Sequence, residues 1–103
     1  MRIVRSREFV GSRPWESVPV AQFDGISAKI HWTDKPYIWH TNEGTEVFAV
    51  VDGRVRMRFR NGGSEDSVLL AAGDIFIAEE GDEHVAEPVG EARILVIERA
   101  DSP

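Results

Sequence analysis

The sequence predicts an all-β fold, a sandwich or barrel of many short strands. Two observations carry that expectation. Apolar and polar residues alternate with a period of two over several stretches, as they do where successive strand side chains point to opposite faces. Between these stretches, at close and regular intervals, stand Asp-Gly, Asn-Gly and Gly-Asp pairs. Such pairs reach positive φ at little cost and so mark hairpins. No stretch shows helical periodicity of useful length. A chain of this kind hides its sheet edges by closing on itself.

Taken in order, strands are expected over residues 3–9, 18–23, 26–32, 37–41, 46–51, 54–60, 67–71, 75–78, 84–87 and 93–99. The third is the clearest. Ile26, Ala28, Ile30 and Trp32 alternate with Ser27, Lys29 and His31, which places His31 on the outside of the barrel or at an interface. In the sixth, Val55, Met57 and Phe59 alternate with Arg54, Arg56, Arg58 and Arg60. The turns between strands fall at Asp24-Gly25, Asp52-Gly53, Asn61-Gly62-Gly63, Gly73-Asp74 and Gly81-Asp82. Residues 47–51 and 92–98 are apolar on both faces, so they lie between two layers or need cover from another subunit. Residues 11–18 hold Pro14 and Trp15 and read as a crossing loop, with the tryptophan over the barrel. Residues 100–103 read as a frayed tail.

A length of 103 residues suits one domain, residues 1–103. Twelve basic against 18 acidic side chains give a net charge of −6, which argues against a nucleic-acid partner. The four-arginine row is expected to pair with carboxylates on neighbouring strands. The chain has no cysteine, which excludes disulfides, thiolate catalysis and cysteine-ligated zinc. Arg2, Arg5, Arg7 and Arg13 interrupt any leader-like apolar run, and no stretch approaches the roughly 18 apolar residues of a membrane helix. A cytoplasmic protein with no membrane partner is the resulting expectation.

The chemistry concentrates in three places. His40 and Asn42, two apart at a strand end, share one face. Glu46 opens the next strand in phase with Phe48 and Val50, and His84 opens another after the turn at Gly81. A carboxylate and two imidazoles facing an apolar interior are costly to bury unpaired, and a divalent metal gives them a common partner. Phe48, Met57, Phe59 and Phe76 are expected to form core or pocket wall. Trp39, opposite His40, is expected to pack between sheets or subunits.

Residues 40–53, His-Thr-Asn-Glu-Gly-Thr-Glu-Val-Phe-Ala-Val-Val-Asp-Gly, resemble the first cupin motif: His-x-His, a short spacer, Glu, six residues, Gly. Residues 73–88 resemble the second, with Gly73, Gly81 and His84 at the motif spacing. The chain is thus similar to the small single-domain bacterial cupins. The resemblance implies a double-stranded β-helix, a jelly-roll barrel closed at one end with its pocket at the other. It also implies a metal ligand set of His40, Glu46 and His84.

Four positions depart from the motifs: Asp34 and Glu79 replace a glycine and a proline, Pro88 an asparagine, and Asn42 the second histidine. Asn42 stands where a ligand belongs and is read as a weak fourth ligand or as a donor to a metal-bound group, with Glu43 as a substitute.

The expected cofactor is one divalent transition metal per chain, iron, manganese, nickel or zinc, with affinity falling as pH drops through the histidine range near 6.5. The expected partner is a small organic molecule, acted on as substrate or, in a metal-free barrel, bound and sensed without catalysis. Small cupins are generally dimeric, so a homodimer is expected.

Overall fold

The structure is a computed structural model that describes residues 1–101, the Asn61 side chain excepted. Among the described residues, nine strands follow a single 3-10 turn at Ser6–Glu8. They are β1 (Glu16–Phe23), β2 (Ile26–Thr33), β3 (His40–Thr41), β4 (Glu46–Asp52), β5 (Arg54–Asn61), β6 (Ser64–Ala71), β7 (Ile75–Ala78), β8 (Glu83–Pro88) and β9 (Ala92–Arg99). All pair antiparallel, in one sheet of order β1-β2-β9-β4-β7 and another of order β3-β8-β5-β6.

The turn residues explain the connections. Gly62 and Gly63 adopt φ of 63° and 88° between the paired Asn61 and Ser64, which is a two-residue hairpin with both central residues left-handed. Gly53 closes the β4–β5 connection at φ 79°, and a Cβ there would lie 2.4 Å from the Glu91 carbonyl oxygen. Only glycine fits that approach.

The sheets meet through side chains of alternate positions. Phe48 and Val50 of β4 and Ile94 and Val96 of β9 pack against Val55 and Met57 of β5, Leu70 of β6 and Ala86 of β8. Burial of side chains of this size is worth roughly 1.5–3 kcal/mol each. β9 lies between β2 and β4, and its inward Ile94 and Val96 enter the core.

Three expectations need correction. Residues 3–9 form no strand. Arg2 reaches the Val20 carbonyl, and the buried Arg93 donates from Nε to the Phe9 carbonyl at 2.7 Å while its Nη1 meets Asp52 at 2.6 Å. The segment is held by side chains rather than by a sheet edge, and its apolar residues keep no two-residue period. The strand expected over 37–41 shortens to His40–Thr41, with Tyr37 tied separately to the Ala86 carbonyl at 3.0 Å.

β2 also presents its faces the other way round. His31 pairs with Ile94 and Trp32 with Arg93, and directly paired residues share a face. His31 therefore looks inward with Ile94, and Trp32 outward, where Gly11 lies against its ring. Alternation located the strand, but both of its faces are covered, so polarity could not orient it. Of the tail expected at 100–103, Ala100 donates to the Gly25 carbonyl at 2.8 Å, and residues 102 and 103 lie outside the described residues.

Candidate metal centre

Both sheets contribute to one cluster at an end of the interior. β3 brings His40 directly opposite His84 of β8, so their rings share the inner face with centroids 4.3 Å apart. Across from them, Glu46 opens β4 in phase with the buried Phe48 and opposite Ala78. His40, Glu46 and His84 can each offer one ligand atom such that all three atoms lie within 4.8 Å of one another.

The histidines are prepared differently. His40 Nδ1 lies 3.1 Å from the Ile38 carbonyl; donating there fixes the tautomer and leaves Nε2 as a lone-pair donor. His84 is buried, with Nε2 3.6 Å from Glu46 Oε1 and 3.3 Å from Asn42 Oδ1. Burial, assisted by neighbouring His40, pushes the His84 pKa down to about 4, so the ring is neutral at physiological pH.

Asn42 is buried and its amide orientation is set. Nδ2 donates to the Gly44 carbonyl at 2.6 Å and weakly to that of Ala78 at 3.4 Å. Oδ1 is thereby turned toward His84. Because an amide oxygen only accepts, the His84 ring proton of this arrangement sits on Nε2, while Nδ1 is buried without a partner. Glu43 is exposed and takes no place in the group.

Glu46 carries the strongest sign of a missing partner. Its Oε1 is buried and accepts no hydrogen bond. Burial pushes the carboxyl pKa up to about 8, and Glu98 beside it pushes the same way. Two imidazoles, that of His84 neutral, and an orphaned carboxyl oxygen within one ligand sphere match the donor chemistry of a divalent first-row metal.

The aromatic residues divide. Phe48 and Met57 belong to the buried core, whereas the partly buried Phe59 and Phe76 stack at 6.1 Å, and Phe76 reaches the His84 ring at 5.8 Å. Phe59 and Phe76 are thus the wall, and Phe48 and Met57 its footing. Trp39 lies on the outer face, where the Arg60 guanidinium sits 3.9 Å and that of Arg58 5.4 Å from its ring centroid. Arg58 also pairs with Glu65 and Glu87, and Arg60 with Glu83, as the charge excess led us to expect.

Sequence reasoning missed two neighbours, Glu98 and Tyr37, and placed a third, Trp15, over the barrel. Glu98 stands next to Glu46 in register, one step beyond the Val47–Ile97 pair, and helps to raise its pKa. Tyr37 meets the His40 ring edge-on at 5.4 Å. Trp15, at φ 62°, contacts Tyr37 at 5.3 Å and His31 at 6.1 Å while its Nε1 donates to the Lys35 carbonyl at 2.9 Å. The signal for Glu98 was present: it follows Ile94 and Val96 at two-residue spacing. A strand apolar on both faces concealed which phase was inward.

No protein-family model matches the sequence, and no curated protein matches it. Solved structures do. The chain superposes on a cupin-2 domain containing protein from Shewanella frigidimarina with a TM-score of 0.76 and 24% identity, over 86% of this chain and 84% of that one. A cupin superfamily protein from Desulfitobacterium hafniense gives 0.77 and 15%, over 97% and 92%. Hydroquinone 1,2-dioxygenase PnpCD, solved in complex with Fe3+, gives 0.78 and 14%, over 87% of this chain and 29% of that chain. The two antiparallel sheets, the topology and these likenesses together show that the chain has the cupin fold, a small jelly-roll barrel.

Proposed function

We propose that the protein holds one divalent first-row metal ion through His40, Glu46 and His84, with the Asn42 amide oxygen beside them, and acts there on a small organic molecule. The observation that carries this reading is the orphaned Glu46 Oε1, buried within 3.6 Å of His84 Nε2. A bound ion would supply a Lewis-acid or oxygen-binding centre with open coordination positions. The chain's own residues do the rest: Ile38 fixes the His40 tautomer, Asn42 orients toward His84, and Phe59 and Phe76 keep water from one side. That a structural neighbour is a dioxygenase solved with Fe3+ supports the metal reading without naming the ion here.

Dialysis against iron, manganese, nickel or zinc followed by elemental analysis tests it. We expect near one ion per chain, with loss in His84→Ala. Substoichiometric metal in every case, unchanged by the substitution, would end the proposal.

A second reading has one observation in its favour. The His84 Nε2 to Asn42 Oδ1 hydrogen bond, 3.3 Å long, uses the atom a metal would need. In that reading the barrel binds a small ligand without metal, and the same dialysis returns protein free of bound ion.

We also propose a homodimer in which a second copy of the chain covers the outer face of the β9-β4-β7 sheet. Val47 pairs with Ile97 and Ile77, and Ala49 with Leu95 and Ile75, which sets six apolar residues on one face. Ile75 and Ile77 are 61% and 54% exposed there.

A further inference from the structure

We propose that the site beside the metal centre takes a small organic carboxylate with a planar apolar body, and that Lys29 receives its charged end. The inference rests on the reading above that this end of the barrel receives a small organic molecule, and it names the class.

Register places the lysine. Lys29 of β2 pairs with Val96 of β9, Val96 with Phe48 of β4, and Phe48 with Phe76 of β7. Directly paired residues share a face, and Phe48 and Val96 are core, so Lys29 stands on the inner side of its sheet. Two residues along these strands lie Ser27, Glu98 and Glu46, which sets the lysine one row from a proposed ligand. Only two strand spacings, of about 4.8 Å each, separate β2 from β4. The other strand cations face away. Arg54, Arg56, Arg58 and Arg60 are out of phase with the buried Val55 and Met57, and Arg93 and Arg99 with Ile94 and Val96.

The surroundings of Lys29 leave its charge available. It is exposed between the buried Ser27 and the half-buried His31 of the same face, so the interior opens to solvent at this point. Among the described residues it forms no ion pair, whereas Arg58, Arg60, Arg93 and Arg99 are all paired. Its direct neighbours across the sheet are Pro19 and Val96, which offer an ammonium no acceptor side chain. Glu98 stands one diagonal step away without pairing to it.

Aromatic rings run from this strand to the ligands. His31, two along from Lys29, meets Trp15 at 6.1 Å, Trp15 meets Tyr37 at 5.3 Å, and Tyr37 meets His40 at 5.4 Å. Beyond the histidines, Phe76 reaches His84 at 5.8 Å. Such rings offer faces and edges to a planar apolar body, and one well-placed charge among them orients it. On a chain of net charge −6, an anion needs a local cation of this kind to enter.

Phenylacetate and its uncharged isostere phenylacetamide, titrated by calorimetry into cobalt(II)-loaded and metal-free protein, test the assignment. The unaltered protein is expected to bind the carboxylate about tenfold more tightly than the amide in both forms. Lys29→Gln should remove that preference and Lys29→Arg should keep it, with thermal melts establishing that each variant is folded. Equal affinities in the unaltered protein, or binding of neither compound, would overturn the proposal. A preference that survives Lys29→Gln would overturn it too, because the anion would then sit on the metal or elsewhere. Absence of cobalt absorption in the unaltered protein would remove the metal reading alone, and the metal-free titrations would still decide this one.

Discussion

At neutral pH two of the proposed ligand side chains start from different protonation states. His84 is already neutral, because burial holds its pKa at about 4. Glu46 still carries a proton, because burial and Glu98 hold its pKa near 8. Of these two, the proton that competes with a metal is therefore on the carboxyl, not on the His84 imidazole. For this pair the dependence expected through pH 6.5 moves to the titration of the carboxyl. Apparent affinity should instead climb up to tenfold per pH unit through the neutral range and level off above about 8. Calorimetric titrations at several pH values check this, and an inflection near 6.5 with none near 8 would contradict it. The metal-free protein should follow the same signs. Glu46, raised on folding, stabilises below about 4.5 and loses that contribution as pH climbs through about 8. His84, lowered on folding, stabilises above about 6.5 and loses its contribution as pH falls through about 4. The convergence of His40, Glu46 and His84 was legible in the sequence because strand phase puts all three on inner faces. Their protonation was not, since it depends on how deeply two sheets bury them.

Among the elements, β4 and β5 and the turn between them do most to set the site, since β4 delivers Glu46 and β5 the Phe59 wall. That turn depends on Gly53, where a Cβ would meet the Glu91 carbonyl at 2.4 Å and φ is 79°. Gly53→Ala must shift the connection before β9 and should destabilise by ~1–3 kcal/mol. Denaturant unfolding measures that difference, and a loss below about 0.5 kcal/mol would mean the backbone yields more easily than the geometry implies. The same motif glycine shows which features of elements could be read in advance. Turn dipeptides located five connections, and most strand bounds moved by only a few residues. The N-terminal segment and the orientation of β2 could not be read, because both depend on a covered outer face. Arg93 illustrates the reason: it follows Ala92 in a strand that reads as core, yet it is buried on the outer side as an anchor for Phe9.

For the whole molecule, the outer apolar face decides assembly. Ile75 and Ile77 stand on β7, the last strand of its sheet, with Val47 and Ala49 beside them on β4. Exposed contiguous apolar surface on an otherwise acidic protein favours self-association through that face over contact elsewhere. We expect a dimer mass by light scattering at micromolar concentration, and a monomer for the double variant Ile75→Asp, Ile77→Asp with the metal site intact. A monomer mass for the unaltered chain would remove the proposal. The doubly apolar strands were visible in the sequence, but the division of labour between them was not. β9 is covered on its outer face near Arg93 by the N-terminal segment, whereas β7 and the adjoining part of β4 are left open.

The placement of β9 also bears on how the chain is made. It is the ninth strand in sequence but the third in its sheet, inserted between β2 and β4. During synthesis β2 and β4 emerge long before it, each with an unpaired edge toward the gap it will fill. The first sheet is therefore two unconnected hairpin-like pieces until Ala92–Arg99 leaves the ribosome, and only then can Glu46 and Glu98 meet. Pairings so distant in sequence slow folding and leave strand edges exposed to other nascent chains. The net negative charge of −6 opposes such encounters while the last strand is awaited.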